Sequence, residues 1–466
     1  MPPSPARVVI VGGGPGGYEA GLVAAQLGAE VTLVDSDGVG GSAVLTDCVP
    51  SKTLIATAEL MTDAEGAGEL DVELADTEAS VRVDLARVNA RVKQLARDQS
   101  QDIADRLEKE GVRVVRGRGR LEGPDTVVVD SGDGPGDGGE RFRADAVLLA
   151  TGASPRTTPE AQPDGERILS WEQVYDLAEL PDHLIVVGSG VTGAEFASAY
   201  LALGARVTLV SSRERVLPGE DADAAAVLEG VLIRRGMNLL EHSRMASVTR
   251  ERDAVTVTLT DGRTVEGSHC ILAVGSVPNT DGLQLETAGV HIDDRGFVVV
   301  DRVSRTSARG VYAAGDCTGV LMLASVAAMQ GRIAMWHFLG DAVSPLDLKH
   351  VSSNVFTAPE IATVGWSQQA VDRGEIQVNA VTLPLAGNAR AKMQGVHDGF
   401  VKLFCRAGTG TVVGGVVVAP RASELIHPVS VAVAESLTAD QLAHAFTVYP
   451  SMSGSVAEAA RKLHRV

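Results

Sequence analysis

The chain has 466 residues, too many for one compact core, and a length of this order predicts roughly three domains. A formal charge of −19 at pH 7 argues against a surface for nucleic acid or an anionic membrane, since a polyanion would be repelled, and points to small diffusible substrates. The four cysteines, Cys48, Cys270, Cys317 and Cys405, are too few for a secreted disulfide framework and too scattered for a metal site. Their sparseness predicts a reducing, cytoplasmic setting, and no stretch is apolar enough over sufficient length to span a bilayer.

The first element reads Val8-Val9-Ile10-Val11 and is expected to be a buried strand. Its short apolar run leads directly into Gly12-Gly13-Gly14-Pro15-Gly16-Gly17 rather than to a cleavage site, which distinguishes it from a signal peptide. A helical pattern follows from Tyr18 to Ala25, then a second strand, Glu30 to Val34, ending at Asp35. Gly12, Gly14 and Gly17 fit the spacing that lets main-chain N–H groups approach a pyrophosphate at a helix N-terminus, and Asp35 stands where a carboxylate accepts a ribose hydroxyl.

A lone glycine turn of this kind is weak grounds for a ligand, but the whole unit recurs. The strand Leu184 to Val187 runs into Gly188-Ser189-Gly190-Val191-Thr192-Gly193, then a helix, then the strand Arg206 to Val210. The repeat predicts two dinucleotide sites, one on Gly12, Gly14 and Gly17 and one on Gly188, Gly190 and Gly193. After the second copy the chain reads Ser211-Ser212-Arg213-Glu214-Arg215, with no carboxylate in the place of Asp35. Serines and an arginine there tolerate a 2′-phosphate that an acid would repel, so Ser212 and Arg213 favour NADPH over NADH; solvated surface arginines would look the same.

Further along the chain, Gly40 to Lys52 (GGSAVLTDCVPSK), Val147 to Gly152 (VLLATG), Ile271 to Thr280 (ILAVGSVPNT), Gly310 to Asp316 (GVYAAGD) and Phe356 to Gly365 (FTAPEIATVG) complete an ordered set of motifs. In this order, and along nearly the whole chain, they resemble the flavoprotein disulfide reductases typified by lipoamide dehydrogenase and glutathione reductase. The resemblance implies an α/β fold of two Rossmann-like, doubly wound dinucleotide-binding domains and a C-terminal α+β interface domain. It divides the chain into an FAD domain over 1–152, an NAD(P) domain over 153–280, the returning FAD domain over 281–347 and an interface domain over 348–466, acting as a homodimer.

By the same resemblance the first glycine turn holds FAD and the second NAD(P)H. Gly41, Lys52, Gly119, Thr151, Gly152, Asp316 and Ala324 join the FAD side, and Glu195 and Gly275 join the nicotinamide side. Lys52 and Glu195 match positions that meet near the flavin N5 and the nicotinamide, where they position and polarise rather than shuttle protons. The apolar run Ala422 to Ala434 suits a buried or interfacial helix, with nothing in its pattern to choose between the two.

The resemblance fails at the redox relay. Family disulfide reductases carry two cysteines separated by four residues, and here the pair reads Ala43 and Cys48. They also carry a His-Pro pair followed by a glutamate near the C-terminus, where this chain has Tyr449-Pro450 and Gly454. Tyrosine, with an ordinary pKa near ~10, is a poor proton shuttle at neutral pH, and His444 lies off the motif, as a surface or packing histidine would.

Cys48 then admits three readings: a small packed residue, a thiolate beside the flavin favoured by Lys52 and a helix start, or a peroxide-reactive sulfenate. Cys270, Cys317 and Cys405 read as packing residues, and the Gly/Asp-rich segment 130–140 as a solvated hairpin loop.

An FAD protein without a dithiol relay suits an acceptor that takes electrons directly from the ring, and quinones do so. The chain resembles, within its family, the relay-lacking LpdA-type quinone reductases of actinobacteria. The expectation is therefore an NAD(P)H:quinone oxidoreductase. Two alternatives are a single-cysteine peroxidase or oxidase using Cys48, and a flavin-bound redox sensor without turnover.

Overall fold

A computed structural model describes residues 4–72, 82–130 and 139–464. Its chain divides into two compact units, one of residues 1–51, 90–156 and 275–347, the other of residues 52–89, 157–274 and 348–466.

The first unit is built on a five-stranded parallel sheet. In spatial order its strands are Val311–Ala313, Ala146–Leu149, Arg7–Val11, Glu30–Asp35 and Arg113–Arg116. Arg7–Val11 pairs with strands on both sides, so it is buried on both faces and reads as a continuous apolar run rather than an alternating one. The helix Pro15–Gln26 follows its glycine turn and packs against the helix Ala324–Leu339. Gly16 and Gly331 make that approach possible, because a Cβ on Gly331 would lie 2.0 Å from the Gly16 carbonyl oxygen. Arg332 and Glu19 close the same contact at 2.8 Å. A three-stranded antiparallel sheet, Arg118–Leu121, Thr126–Asp130 and Glu140–Arg143, covers the other side. The last two of these strands pair across the expected hairpin, of which residues 131–138 lie outside the described residues.

The second unit contains the second copy of the motif. Its parallel sheet runs, in spatial order, Asn238–Leu240, Arg206–Val210, His183–Val187, His269–Leu272 and Ile168–Ser170. A separate antiparallel sheet over 352–419 is covered by short helices, among them Gly454–Lys462. The apolar run 422–434 forms two helices, Ala422–Leu425 and His427–Ala434, rather than one. Pro428 falls in the first turn of the second helix, where its missing N–H is tolerated, and for want of that N–H it cannot carry the first helix across. Val429, Ala432 and Val433 pack into this unit's core while Val431 remains exposed. Among the described residues no helix is long and apolar enough to cross a membrane.

Candidate nucleotide and redox site

The first glycine turn leaves the C-terminal end of the strand Arg7–Val11. Gly12 has φ +104°, and a Cβ on it would meet the Ala150 carbonyl oxygen at 2.2 Å, so neither its backbone conformation nor its surroundings admit a side chain. Gly17 is excluded by packing alone: its Cβ would lie 1.9 Å from the Gly12 oxygen. Gly14, at the N-cap of Pro15–Gln26, has only the Gly41 Cα near, at 4.0 Å. Asp35 accepts the Gly13 N–H at 2.6 Å and the Asp37 and Gly38 N–H groups at 2.8 and 2.7 Å, which fixes its carboxylate beside the turn.

The other residues of this unit expected at the nucleotide sites are tied to neighbouring segments or stand in open backbone conformations. Thr151 Oγ1 donates to the Asn279 carbonyl at 2.7 Å and the Asn279 side chain returns a bond to the Thr151 carbonyl at 3.0 Å. Gly152, at φ +71°, and Gly275, at φ +97°, both adopt left-handed backbone with no neighbour within 4 Å of a Cβ. Gly315 donates to the buried Gln330 at 2.9 Å, presenting Asp316 as the next residue. Burial, with the nearby Asp47 carboxylate as a second cause, raises the Asp316 carboxyl to about 6. Gly119 lies against Val11, where a Cβ would sit 3.0 Å from Cγ1, a tight contact that a larger residue would have to displace. Ala324 opens the helix Ala324–Leu339.

The second turn repeats the geometry in the other unit. Gly188 has φ +113° and a Cβ there would meet the Ala273 oxygen at 2.2 Å; one on Gly193 would lie 1.8 Å from the Gly188 oxygen. A Cβ on Gly190 would meet nothing within 4 Å. No protein neighbour demands glycine there, whereas a pyrophosphate drawn close to the main chain would. Register places Val210 opposite Val187 as Val34 stands opposite Val11, so Ser211, not Ser212, takes the position of Asp35. Its hydroxyl is buried and bonded to Ser189 Oγ at 2.7 Å, while Ser212 and Arg213 are exposed.

Glu195 sits in the helix Val191–Ala202, directly after this turn, and is almost wholly buried. Its Oε2 meets Lys52 Nζ at 2.9 Å and its Oε1 accepts the Phe356 N–H at 2.8 Å. The Lys52 ammonium also lies 4.9 Å from the centre of the Phe356 ring. Two charged residues far apart in sequence thus form one partly buried ion pair, and Phe356 joins them without any sequence signal beyond its place at the head of FTAPEIATVG. Ser198, one helical turn on, accepts the Ala358 N–H at 3.2 Å and extends the same tie.

None of the four cysteines forms a disulfide. Burial raises the Cys317 and Cys405 thiols to about 11 and Cys270 higher still, so these three are packing residues. Cys48 is partly exposed and begins the helix Cys48–Glu65, on which Lys52 follows. In the second unit, Tyr449 is 86 % exposed and close in sequence to exposed Phe446 and Val448. His444 is exposed and bonded through Nδ1 to the Asp440 carbonyl at 2.7 Å, as a surface histidine is. A cavity of about 620 Å³ in the first unit, lined by His291, Arg305, Tyr312 and His337, includes Gly310 and Val311 at the start of the strand Val311–Ala313. It lies at the N-terminal end of that strand, whereas ligands of open α/β sheets bind beyond the C-terminal ends, so it is not the nucleotide site.

Two complete strand–glycine turn–helix units and a buried Lys–Glu pair define a two-dinucleotide oxidoreductase. The chain belongs to the pyridine nucleotide-disulphide oxidoreductase family, whose model matches residues 6–331, with the family's dimerisation domain matching residues 351–460. The family binds FAD and NAD(P)H. Over 98 % of this chain and 94 % of the relative, it is 56 % identical to a Mycobacterium tuberculosis protein named NAD(P)H dehydrogenase (quinone). It is 33 % identical to the dihydrolipoyl dehydrogenase of Chlorobaculum parvum, over 97 % of this chain and 96 % of that one. The crystal structure of LpdA from M. tuberculosis superposes with a TM-score of 0.93 at 55 % identity, covering 99 % of this chain and all of that one.

Proposed function

We propose that this protein is an FAD-dependent NAD(P)H:quinone oxidoreductase, with NADPH the preferred donor. The observation that carries this reading is a relay missing at three places while the nucleotide machinery is built: Ala43, Tyr449 and Gly454 replace the relay residues, yet both glycine turns and the Lys52–Glu195 pair stand complete. The 56 % identical relative that bears the name NAD(P)H dehydrogenase (quinone) supports the same acceptor class.

FAD, when bound, supplies the hydride acceptor and the ring from which an external acceptor draws electrons. Gly12, Gly14, Gly17, Gly41, Asp35, Thr151, Gly152, Asp316 and Ala324 hold it, with Gly119 supporting the strand end. Gly188, Gly190, Gly193 and Gly275 hold the nicotinamide nucleotide, and Ser212 and Arg213 receive its 2′-phosphate. Glu195 keeps the Lys52 ammonium in one place, and with FAD bound that fixed charge would favour a negatively charged ring. Ala43 stands where the family's other cysteine would, so electrons leave without disulfide exchange. Residues 1–152 and 281–347 are read as the FAD domain, 153–280 as the nicotinamide domain and 348–466 as the interface of a homodimer. Free thiols throughout suit a cytoplasmic enzyme.

The test is anaerobic reduction of the FAD-loaded protein with NADPH, followed by rapid mixing with a benzoquinone, a naphthoquinone, lipoamide or oxidised glutathione. Bleaching by NADPH and reoxidation by quinones alone is the expected result. Reoxidation by either disulfide at a comparable rate overturns it, and absence of bleaching removes the enzyme reading altogether.

A further inference from the structure

The strand ends beyond the second glycine turn carry a feature that motif matching did not use. Ser211 to Arg215 leaves the C-terminal end of Arg206–Val210, and Glu241 to Arg244 leaves the C-terminal end of the neighbouring strand Asn238–Leu240. The two loops are laced together by main-chain bonds: Ser211 N–H to Leu240 carbonyl at 2.9 Å, Ser243 N–H to Ser211 carbonyl at 2.7 Å, and His242 N–H to Arg213 carbonyl at 3.0 Å. His242 is therefore fixed to the backbone of the residue expected to meet a 2′-phosphate.

His242 adopts φ +49°, a left-handed conformation that glycine or asparagine takes with less strain. Strain of this kind is kept where the surrounding structure imposes it. Arg263 contributes to that by donating to Ser243 Oγ at 2.8 Å. Arg213, His242 and Arg244 are all exposed, and none of them has a carboxylate within ion-pair distance among the described residues. Glu241 is also exposed on this rim, while Glu214 lies 3.6 Å from Arg215.

We infer that His242 is a second 2′-phosphate ligand, contributed by the loop after Asn238–Leu240 and acting beside Arg213 to discriminate NADPH from NADH. The inference rests on the NADPH preference proposed above. In a doubly wound sheet the adenosine ribose lies at the end of the strand that bears the Asp35 equivalent, here Ser211, so the loop bonded to Ser211 and Arg213 borders the ribose. An imidazole N–H donates to a phosphate oxygen in either charge state, and Arg244, two residues further on, adds positive charge on the same loop.

The probes are 2′,5′-ADP, which carries the phosphate, and 5′-AMP, which lacks it, titrated calorimetrically into FAD-loaded protein. The wild type is expected to favour 2′,5′-ADP. His242→Asn, which suits the left-handed backbone, should shrink that ratio roughly tenfold, and His242→Arg should largely retain it. General damage to the loop weakens both ligands alike and leaves the ratio standing. A ratio unchanged in His242→Asn overturns the inference; if Arg213→Gln lowers the ratio in the same experiment, the NADPH reading survives without His242. A wild type that holds both probes equally overturns both.

Discussion

Lys52 gives its ammonium to a carboxylate, that of Glu195, whose side chain is only 6 % exposed and whose second oxygen is already filled by the Phe356 N–H. The lysine keeps 30 % of its own side-chain surface, so the charge is held from the protein side and available on the other.

Replacing Lys52 by Met should therefore do two things. Glu195 loses its counter-charge in a desolvated place, a stability loss of roughly 1–3 kcal/mol, below the full cost of a buried pair because Lys52 is partly solvated. Flavin reduction by NADPH should slow roughly 10- to 100-fold as a fixed positive charge disappears. Glu195→Gln keeps an acceptor for the Phe356 N–H and should be milder in stability while still slowing reduction. Stopped-flow bleaching at saturating NADPH, with chemical denaturation alongside, separates the two effects; equal rates in wild type and Lys52→Met would exclude an electrostatic role.

The pair was legible because each residue lies inside a motif whose spacing is local: Lys52 four residues after Cys48, Glu195 two after Gly193. The glycine turns were legible for the same reason, Gly12, Gly17, Gly188 and Gly193 being required by φ or by a carbonyl only a few residues away or on an adjacent strand. Contacts that depend on chain crossings had no such signal. The Phe356 N–H to Glu195 bond and the Asp47–Asp316 neighbourhood each join residues that only the folded chain brings together. Nor does hydrophobic periodicity alone show that a run such as 422–434 breaks, although Pro428 marks the place.

Lys402 is another such crossing. Its ammonium, 3 % exposed, meets Asp221 at 2.8 Å and Asp223 at 2.7 Å, and Asp221 also caps the helix Ala222–Arg234 by accepting the Asp223 and Ala224 N–H groups. Lys402→Met would strand a buried carboxylate and should cost roughly 3–5 kcal/mol. Asp223→Asn, at a side chain 69 % exposed, should cost under about 1 kcal/mol. Urea unfolding of the two variants checks the contrast; comparable losses would mean that the exposed Asp223 contact is the stronger one.

Asp316 sets a pH dependence. Its carboxyl is raised from 3.8 to about 6 by burial first and by Asp47 second, so the folded apoprotein binds a proton there more readily than the unfolded chain does. Stability from this group is fully present below about 4 and is lost as pH rises through about 6. Asp316→Asn should flatten that part of the apoprotein's stability curve, and Asp47→Asn should move it to lower pH by removing the second cause. A curve between pH 4 and 7 that is identical in wild type and Asp316→Asn would show that other groups govern the window.

Two glycines of the second turn, Gly190 and Gly193, allow ligand and packing requirements to be separated. A Cβ on Gly193 would lie 1.8 Å from the Gly188 carbonyl, a main-chain atom that cannot rotate aside, so Gly193→Ala should disturb the turn and lower stability as well as activity. A Cβ on Gly190 meets no protein atom within 4 Å, so Gly190→Ala should fold with nearly wild-type stability. What that methyl group enters is the space through which a pyrophosphate reaches the main chain. The KM for NADPH should therefore rise roughly tenfold or more in Gly190→Ala, since lost charge-assisted bonds to main-chain N–H groups weaken binding on that scale. Flavin content should be unaltered, because the FAD turn on Gly12, Gly14 and Gly17 belongs to the other unit. An unchanged KM in a stable Gly190→Ala protein would mean that the nicotinamide nucleotide does not approach the chain at this turn, and the assignment of the second motif would have to be given up.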